Sequence, residues 1–248
     1  MRYLVLSDLH ANIDALEAVL EAVGEGAYDR VIVLGDLVGY GADPNPVVDR
    51  VRELAPVAIV RGNHDKVAAG LASSRGFNPT ARRSAEWTRE ALTPASREYL
   101  ASLVEGPAFL EDLVQICHGS PGDEDAYIFG ERDVVDALLA ARMPLCLFGH
   151  THLPAAAALD SRRSMEVLFH GAREEQVISF ADDRRYLVNP GSVGQPRDGD
   201  ARAACALLDT TRLEIVIRRV EYPAERARER ILAAGLPKAL GNRLLIGR

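Results

Sequence analysis

One apolar run after another in this chain ends on residues able to hold a metal ion. LVLSDLH places Asp8 and His10 just past its run, and VIVLGDLVGYG places Asp36. VAIVRGNHD places Asn63, His64 and Asp65; VQICHGS places His118; CLFGHTH places His150 and His152. YLVNPGS sets Asn189 in the same relation to its own run. Short apolar runs bounded by turn residues read as buried strands. Between the first two, Ile13, Leu16, Leu20 and Val23 fall at helical spacing, and Gly24 and Gly26 follow. Strand, helix and strand are therefore expected to form a right-handed parallel crossover. In an open α/β sheet the loops at the carboxyl ends of the strands gather along one edge. Five histidines, several carboxylates and two amides would converge there.

Each signature alone has an ordinary reading. Asp-x-His and GNHD occur in turns, and a lone histidine is often a satisfied core residue. Coincidence is hard to sustain when five strand ends in order carry such residues, because burying so many ionisable groups without a cation is costly. Mixed His, Asp and Asn donors suit borderline divalent metals, with manganese first and iron, zinc, nickel or cobalt as alternatives, and do not suit calcium. Their number exceeds one closed tetrahedral site. Two ions sharing a carboxylate fit better.

The rest of the chain organises around this pattern. A second helix is expected at Val47, Val48, Val51 and Leu54, and a third strand over 57–60. Residues 66–106 read as a helical insertion or cap, with Pro94 opening a helix. Arg75, Arg82, Arg83, Arg89 and Arg97 in that segment read chiefly as a solvated helix face. Strands are expected over 113–117 and 145–148, with a helix over 134–141 between them. After His152 short apolar stretches alternate with polar turns, as antiparallel hairpins do. Residues 203–208 and 213–220 form an expected closing hairpin, followed by a helix near 224–233 and a short tail. The 248 residues read as a single domain.

A net charge of −7 argues against duplex nucleic acid as the main partner, which calls for a clustered basic face. It leaves small phosphorylated ligands open, since bound cations invert the local sign. Cys117, Cys146 and Cys205 are far apart in sequence with no CxxC pair, so a cytoplasmic location is expected. The first apolar run is too short for a signal peptide and is broken by Asp8. No stretch approaches the roughly 20 apolar residues of a membrane span. Homo-oligomerisation is left open.

Taken in order, D-x-H, G-D, G-N-H-D, a histidine after a strand and G-H-x-H resemble the motif set of the calcineurin-like metallophosphoesterase superfamily, and NPGS resembles its bacterial small-phosphodiesterase and diadenosine tetraphosphatase-like branch. The resemblance implies an α/β fold: a four-layer αββα sandwich of two mixed sheets flanked by helices. It also implies that Asp8, His10 and His152 bind one metal ion, that Asn63, His118 and His150 bind a second, and that Asp36 bridges them. His64 would serve the leaving group or the transition state, with Asp65 orienting it. The implied reaction is hydrolysis of a phosphodiester or phosphoanhydride of a small, nucleotide-like substrate by a hydroxide held between the ions. Asn12, Tyr40 and Arg197 are the expected substrate contacts, Tyr40 either stacking on a base or packing beside the glycines. GDLVGYG has Tyr40 where protein phosphatases of the superfamily carry arginine, and GNHD ends in aspartate where they carry glutamate; both count against a protein phosphatase. A phosphomonoesterase, or a scaffold that binds metal without catalysis, is the alternative. A decayed scaffold would have lost some of these positions, and this chain keeps all eight.

Overall fold

The computed structural model describes residues 1–171 and 175–248. In chain order its strands are β1 (Arg2–Leu6), β2 (Arg30–Val33), β3 (Ala58–Ile59), β4 (Ala108–Leu110), β5 (Val114–Ile116), β6 (Leu145–Leu147), β7 (Ala155–Asp160), β8 (Met165–His170), β9 (Gln176–Ser179), β10 (Arg184–Asn189), β11 (Ala203–Asp209) and β12 (Glu214–Val220). Its helices are α1 (Ile13–Val23), α2 (Pro44–Leu54), α3 (Asn63–Ala69), α4 (Pro79–Ala91), α5 (Pro94–Ser102), α6 (Glu131–Ala140), α7 (Ala224–Ala233) and α8 (Lys238–Leu244).

The strands form two mixed six-stranded sheets, ordered β3-β2-β1-β11-β12-β9 and β4-β5-β6-β10-β7-β8. Strand β1 shows why its sequence is apolar throughout. Successive side chains point to opposite faces, so Tyr3 and Val5 enter the core between the sheets with Ile116, Leu145 and Val188. Leu4 and Leu6 face outward and pack with Leu16, Val19 and Val48 under α1 and α2. A strand buried on both faces has no place for alternating polar residues. On the far side α6 covers the second sheet through Leu138 against Cys146, Phe148 and Leu187. These are four layers, helix, sheet, sheet and helix.

The parallel crossover expected from the first residues is present, with β1 parallel to β2 and β2 to β3. The two mixed sheets that the resemblance implies are present as well. Site-bearing strands divide between two sheets, β1, β2 and β3 in one and β5, β6 and β10 in the other. The chain after His152 makes this division, because β10 pairs with β6 while β11 crosses back to pair with β1. The third strand is shorter than expected, two residues plus an isolated bridge from Val60 to Val104. Edge strand β4 and helix α8 were not expected; the tail is helical.

Helices α3 to α5 do not stand apart from the core. Leu92, Leu100 and Leu103 join the cluster formed by α1 and α2, so this segment is part of the outer helical layer. Its arginines are solvated or tied to backbone: Arg82 donates to Arg75 O and Arg97 to Arg89 O. Cys117, just past β5, and Cys146, on neighbouring β6, have their sulfur atoms 3.8 Å apart, both as buried free thiols. No described helix is long and apolar enough to cross a membrane.

Candidate metal centre

The turns that follow β1, β2 and β6 share an unusual backbone. Asp8, His10, Asp36, His150 and His152 all have φ between 45° and 65°, a left-handed region that non-glycine residues rarely occupy. Such conformations cost about 1–3 kcal/mol each and persist where the surroundings impose them. Here hydrogen bonds between turns do so. His10 N–H donates to Asp36 O, Asp8 N–H to Gly35 O, and Gly149 N–H to His118 O. Asn189, the last residue of β10, donates to Gly149 O and Thr151 Oγ1 and accepts from Gly191 N–H, so it braces the GHTH turn. Gly149 must lack a side chain, because a Cβ there would lie 2.8 Å from Asp8 Oδ2 and run into Ser7.

Two donor clusters result, and they share one carboxylate. Asp8, His10, Asp36 and His152 form the first; Asp36, His118 and His150 form the second. In the first, His10 Nε2 lies 3.0 Å from His152 Nε2 and 3.5 Å from Asp36 Oδ2, and His152 Nε2 lies 3.4 Å from Asp8 Oδ1. In the second, His118 Nε2 lies 3.4 Å from the same Asp36 Oδ2, 3.1 Å from His150 Nδ1 and 3.3 Å from Asn63 Oδ1. Donors about 2.0–2.2 Å from a common ion stand roughly this far from one another.

Each donor is held by its other atom, as metal ligands generally are. Asp8 Oδ2 accepts from Ser7 Oγ at 2.6 Å, His150 N–H is shared between Oδ2 at 3.1 Å and Oδ1 at 3.2 Å, and Oδ1 faces His152 Nε2 at 3.4 Å. Asp36 Oδ1 accepts from His64 N–H at 2.9 Å, which leaves Oδ2 between the two clusters. The rings of His10, His118 and His152 donate Nδ1–H to Val38 O, Leu34 O and Gln195 O. That tautomer presents Nε2. His150 is reversed: its Nε2 reaches Asp125 O and Nδ1 turns inward.

The electrostatics suit a cation. Burial pushes Asp8 up to about 6 and drives His150 down to about 3, and it holds His10 and His152 well below the usual imidazole range. Burial also opposes charge on His118, but the carboxylates of Asp36 and Asp8 outweigh it and raise His118 to about 10. Burial would raise Asp36; the imidazoles of His118, His64 and His10 hold it well below its usual value instead. A proton on His118 does part of the work that a bound cation would do.

The remaining expected residues fall differently. His64 heads α3, its ring centroid 4.3 Å from that of Tyr40 and 4.7 Å from that of Phe77. Burial lowers it to about 4. Asp65 does not orient it, contrary to expectation. Both Asp65 oxygens accept backbone N–H groups, from Val38 and Gly62, and His64 Nδ1 has no partner. As an N-terminal helical residue Asp65 closes a capping arrangement, which is the geometric reason it faces away from the ring. Asn12 has both ends of its amide engaged within the protein. Its Oδ1 caps α1 through Ala15 N–H and its Nδ2 donates to Gly194 O. Tyr40 is buried with its ring 4.7 Å from that of His10 and with Arg197 over its face, so it packs among the donors and offers no open face to a base. Arg197 stands at the site mouth, its charge acting on donors of both clusters.

Several residues around the centre carried no sequence signal. Tyr127 stacks on His150 with centroids 3.8 Å apart, and Phe129 stacks on Tyr127 at 5.0 Å. They lie in a loop after His118 that fits no motif. Gln195 was visible only as part of the turn-rich stretch after NPGS.

The calcineurin-like phosphoesterase superfamily domain matches residues 1–212. The chain belongs to that superfamily and is, as a class, a metallophosphoesterase. It is 34% identical over 249 residues to an uncharacterized protein of Methanocaldococcus jannaschii, covering 98% of this chain and 97% of that one. Phosphodiesterase YfcE of Escherichia coli K12 is 24% identical over 225 residues, 87% of this chain and 91% of its own length. Among solved structures, a metallophosphoesterase from Sphaerobacter thermophilus superposes with a TM-score of 0.85 at 37% identity, covering 100% of this chain and 99% of that one.

Proposed function

We propose that this protein hydrolyses phosphodiester or phosphoanhydride bonds of small, nucleotide-like substrates, using two divalent metal ions, manganese before iron, zinc, nickel or cobalt. The observation that carries the reading is Asp36 Oδ2, which faces His10 Nε2 and His118 Nε2 at 3.5 and 3.4 Å and so belongs to both donor clusters. Asp8, His10 and His152 would hold one ion, Asn63, His118 and His150 the other, with Asp36 common to both. Bound there, the ions would supply the charge that acidifies water and holds phosphate oxygens in line.

The chain's own residues do the rest. Ser7 and the His150 amide aim Asp8; Val38, Leu34 and Gln195 carbonyls fix three ring tautomers. His64 is neutral near pH 7 by its lowered pKa, so it serves the departing oxygen as a neutral N–H hydrogen-bond donor rather than as an imidazolium acid. The exposed Tyr127 and Phe129 pair offers aromatic surface beside His150, which suits a nucleobase or aryl group. Relatives point the same way, YfcE being named a phosphodiesterase. With no described helix able to span a membrane and free buried thiols, a cytoplasmic location is proposed. A screen of aryl phosphomonoesters, aryl phosphodiesters and dinucleoside polyphosphates over several metals tests the reading. Turnover of diesters or anhydrides above that of free metal is expected; hydrolysis of monoesters alone would replace it with a phosphomonoesterase.

A further inference from the structure

Many arginines of this protein are paired with carboxylates. Arg219 meets Asp198, Arg202 meets Asp200, and Arg61 meets Glu124 and Glu105. On α7, Arg226 meets Asp14 and Arg230 meets Asp43. Arg97 and Arg228 bond to Arg89 O and Asn242 Oδ1 instead, and Arg197 and Arg243 also depart from this pattern. Among the described residues neither has a carboxylate within ion-pair distance. They share a neutral acceptor instead, Gln195 Oε1, at 3.1 Å from Arg197 and 3.4 Å from Arg243.

Two guanidinium groups gathered on one amide oxygen repel each other. Burial and then the charge of Arg197 draw Arg243 below its usual range. Arg197 Nε is buried and has no hydrogen-bond partner. The neighbouring Asp198, which could neutralise the pair, is committed to Arg219. Unpaired, half-buried guanidinium groups with unused donors are the usual setting for a planar or tetrahedral oxyanion.

The pair also has a fixed relation to the metal centre. Gln195 accepts His152 Nδ1–H on its backbone oxygen at 2.6 Å and both arginines on its side chain. One residue therefore links a metal donor to the cationic pair. Arg243 lies on α8, beyond residue 212 where the superfamily match ends, so the second arginine is supplied by this chain's own C-terminal segment.

We propose that Arg197 and Arg243 form a subsite for a second phosphoryl group of the substrate, next to the one held at the metal centre. The inference rests on the phosphoesterase reading and narrows it: substrates with adjacent phosphoryl groups, as in a phosphoanhydride, gain binding that a simple diester does not.

The test is calorimetric binding of inorganic orthophosphate and inorganic pyrophosphate to the manganese-loaded protein, with manganese in excess over pyrophosphate. Wild type is expected to bind pyrophosphate at least about tenfold more tightly than orthophosphate, the scale of a charge-assisted bidentate contact. Arg243→Gln should reduce that advantage to about twofold, Arg243→Lys should keep part of it, and Arg197→Gln should lose it as Arg243→Gln does. Equal weakening of both anions in the glutamine variants, or no pyrophosphate advantage in wild type, would overturn the subsite. If Arg243→Gln does not fold, Arg197→Gln and Arg243→Lys decide. Absence of turnover by the metal-loaded wild type would instead count against the phosphoesterase reading, and the binding constants remain readable without it.

Discussion

His10 Nε2 and His152 Nε2 face each other at 3.0 Å in the interior of the protein. Each ring donates its other nitrogen's hydrogen to a backbone carbonyl, Val38 O and Gln195 O, so two lone pairs point at a common space. A proton or a cation must sit between them. Metal ions should therefore stabilise the fold. At a free Mn²⁺ concentration a thousand times its Kd the gain is about 4 kcal/mol, or a rise in Tm of about 8–16 °C for a chain of this size. Thermal unfolding of metal-stripped protein with and without Mn²⁺ checks this, and His152→Ala should remove most of the shift. An unchanged Tm in the wild type would mean that the facing nitrogens are not a metal site.

Metal uptake should release a proton. The metal-free protein holds His118 up to about 10, against burial, through Asp36 and Asp8, while burial puts Asp8 at about 6 and His150 at about 3. At pH 8 His118 is thus the protonated donor, and an ion can enter only as that proton leaves. The sign follows for stability too. A group raised in the fold above its unfolded value near 6.5 stabilises the metal-free protein fully below that pH, and its contribution is lost as pH rises toward 10. Calorimetric titration with Mn²⁺ in buffers of different ionisation enthalpy should show release of about one proton or more per chain. Proton uptake would contradict the assignment.

Much of the centre was legible in the chain because its donors sit next to strands. Asp8, His10, Asp36, His118, His150 and His152 each follow an apolar run, and all six fall in the two clusters. What could not be read was orientation. Asp65 follows His64 in sequence, yet a helix start turns its carboxylate to Val38 and Gly62. Asn12 precedes a helix, and capping took both ends of its amide. The two-sheet division came from the family resemblance and not from the apolar runs themselves, since it depends on β10 choosing β6, with Tyr186 beside Leu145, while β11 chooses β1 at the far end of the chain, with Leu208 beside Tyr3. Tyr127 and Arg243 reach the site from segments without motif or periodicity, where only tertiary packing decides position.

Asp65→Ala and His64→Ala should separate structure from chemistry. Removing Asp65 strands two buried backbone N–H groups, Val38 and Gly62, at about 1–3 kcal/mol each, so a lower Tm and weaker metal retention are expected. His64 Nδ1 has no hydrogen-bond partner, and His64→Ala should retain metal while losing about 10²–10³-fold in kcat, the cost of removing one hydrogen-bond donor to developing charge. Elemental analysis beside kinetics distinguishes the outcomes; loss of metal in His64→Ala would contradict the role given to it.

Asn189→Ala should loosen the GHTH turn without touching a donor. It deprives Gly149 O, Thr151 Oγ1 and Gly191 N–H of a buried partner. A loss of about 2–4 kcal/mol in stability is expected for such a network, measured by urea unfolding, with a reduced metal affinity. A cost below about 0.5 kcal/mol would show that the turn holds its left-handed backbone by other means.

The central claim is that Asp36 makes one catalytic centre of two metal sites. The direct test is a titration of metal-stripped wild type with Mn²⁺, reading bound ions per chain and hydrolysis of bis(p-nitrophenyl) phosphate together, with Asp36→Asn alongside. The account predicts two ions per chain, a rate that follows the second ion, and loss of both ion binding and about 10³-fold or more of the rate in Asp36→Asn. Full activity at one ion per chain, or no turnover above that of Mn²⁺ alone, would contradict it.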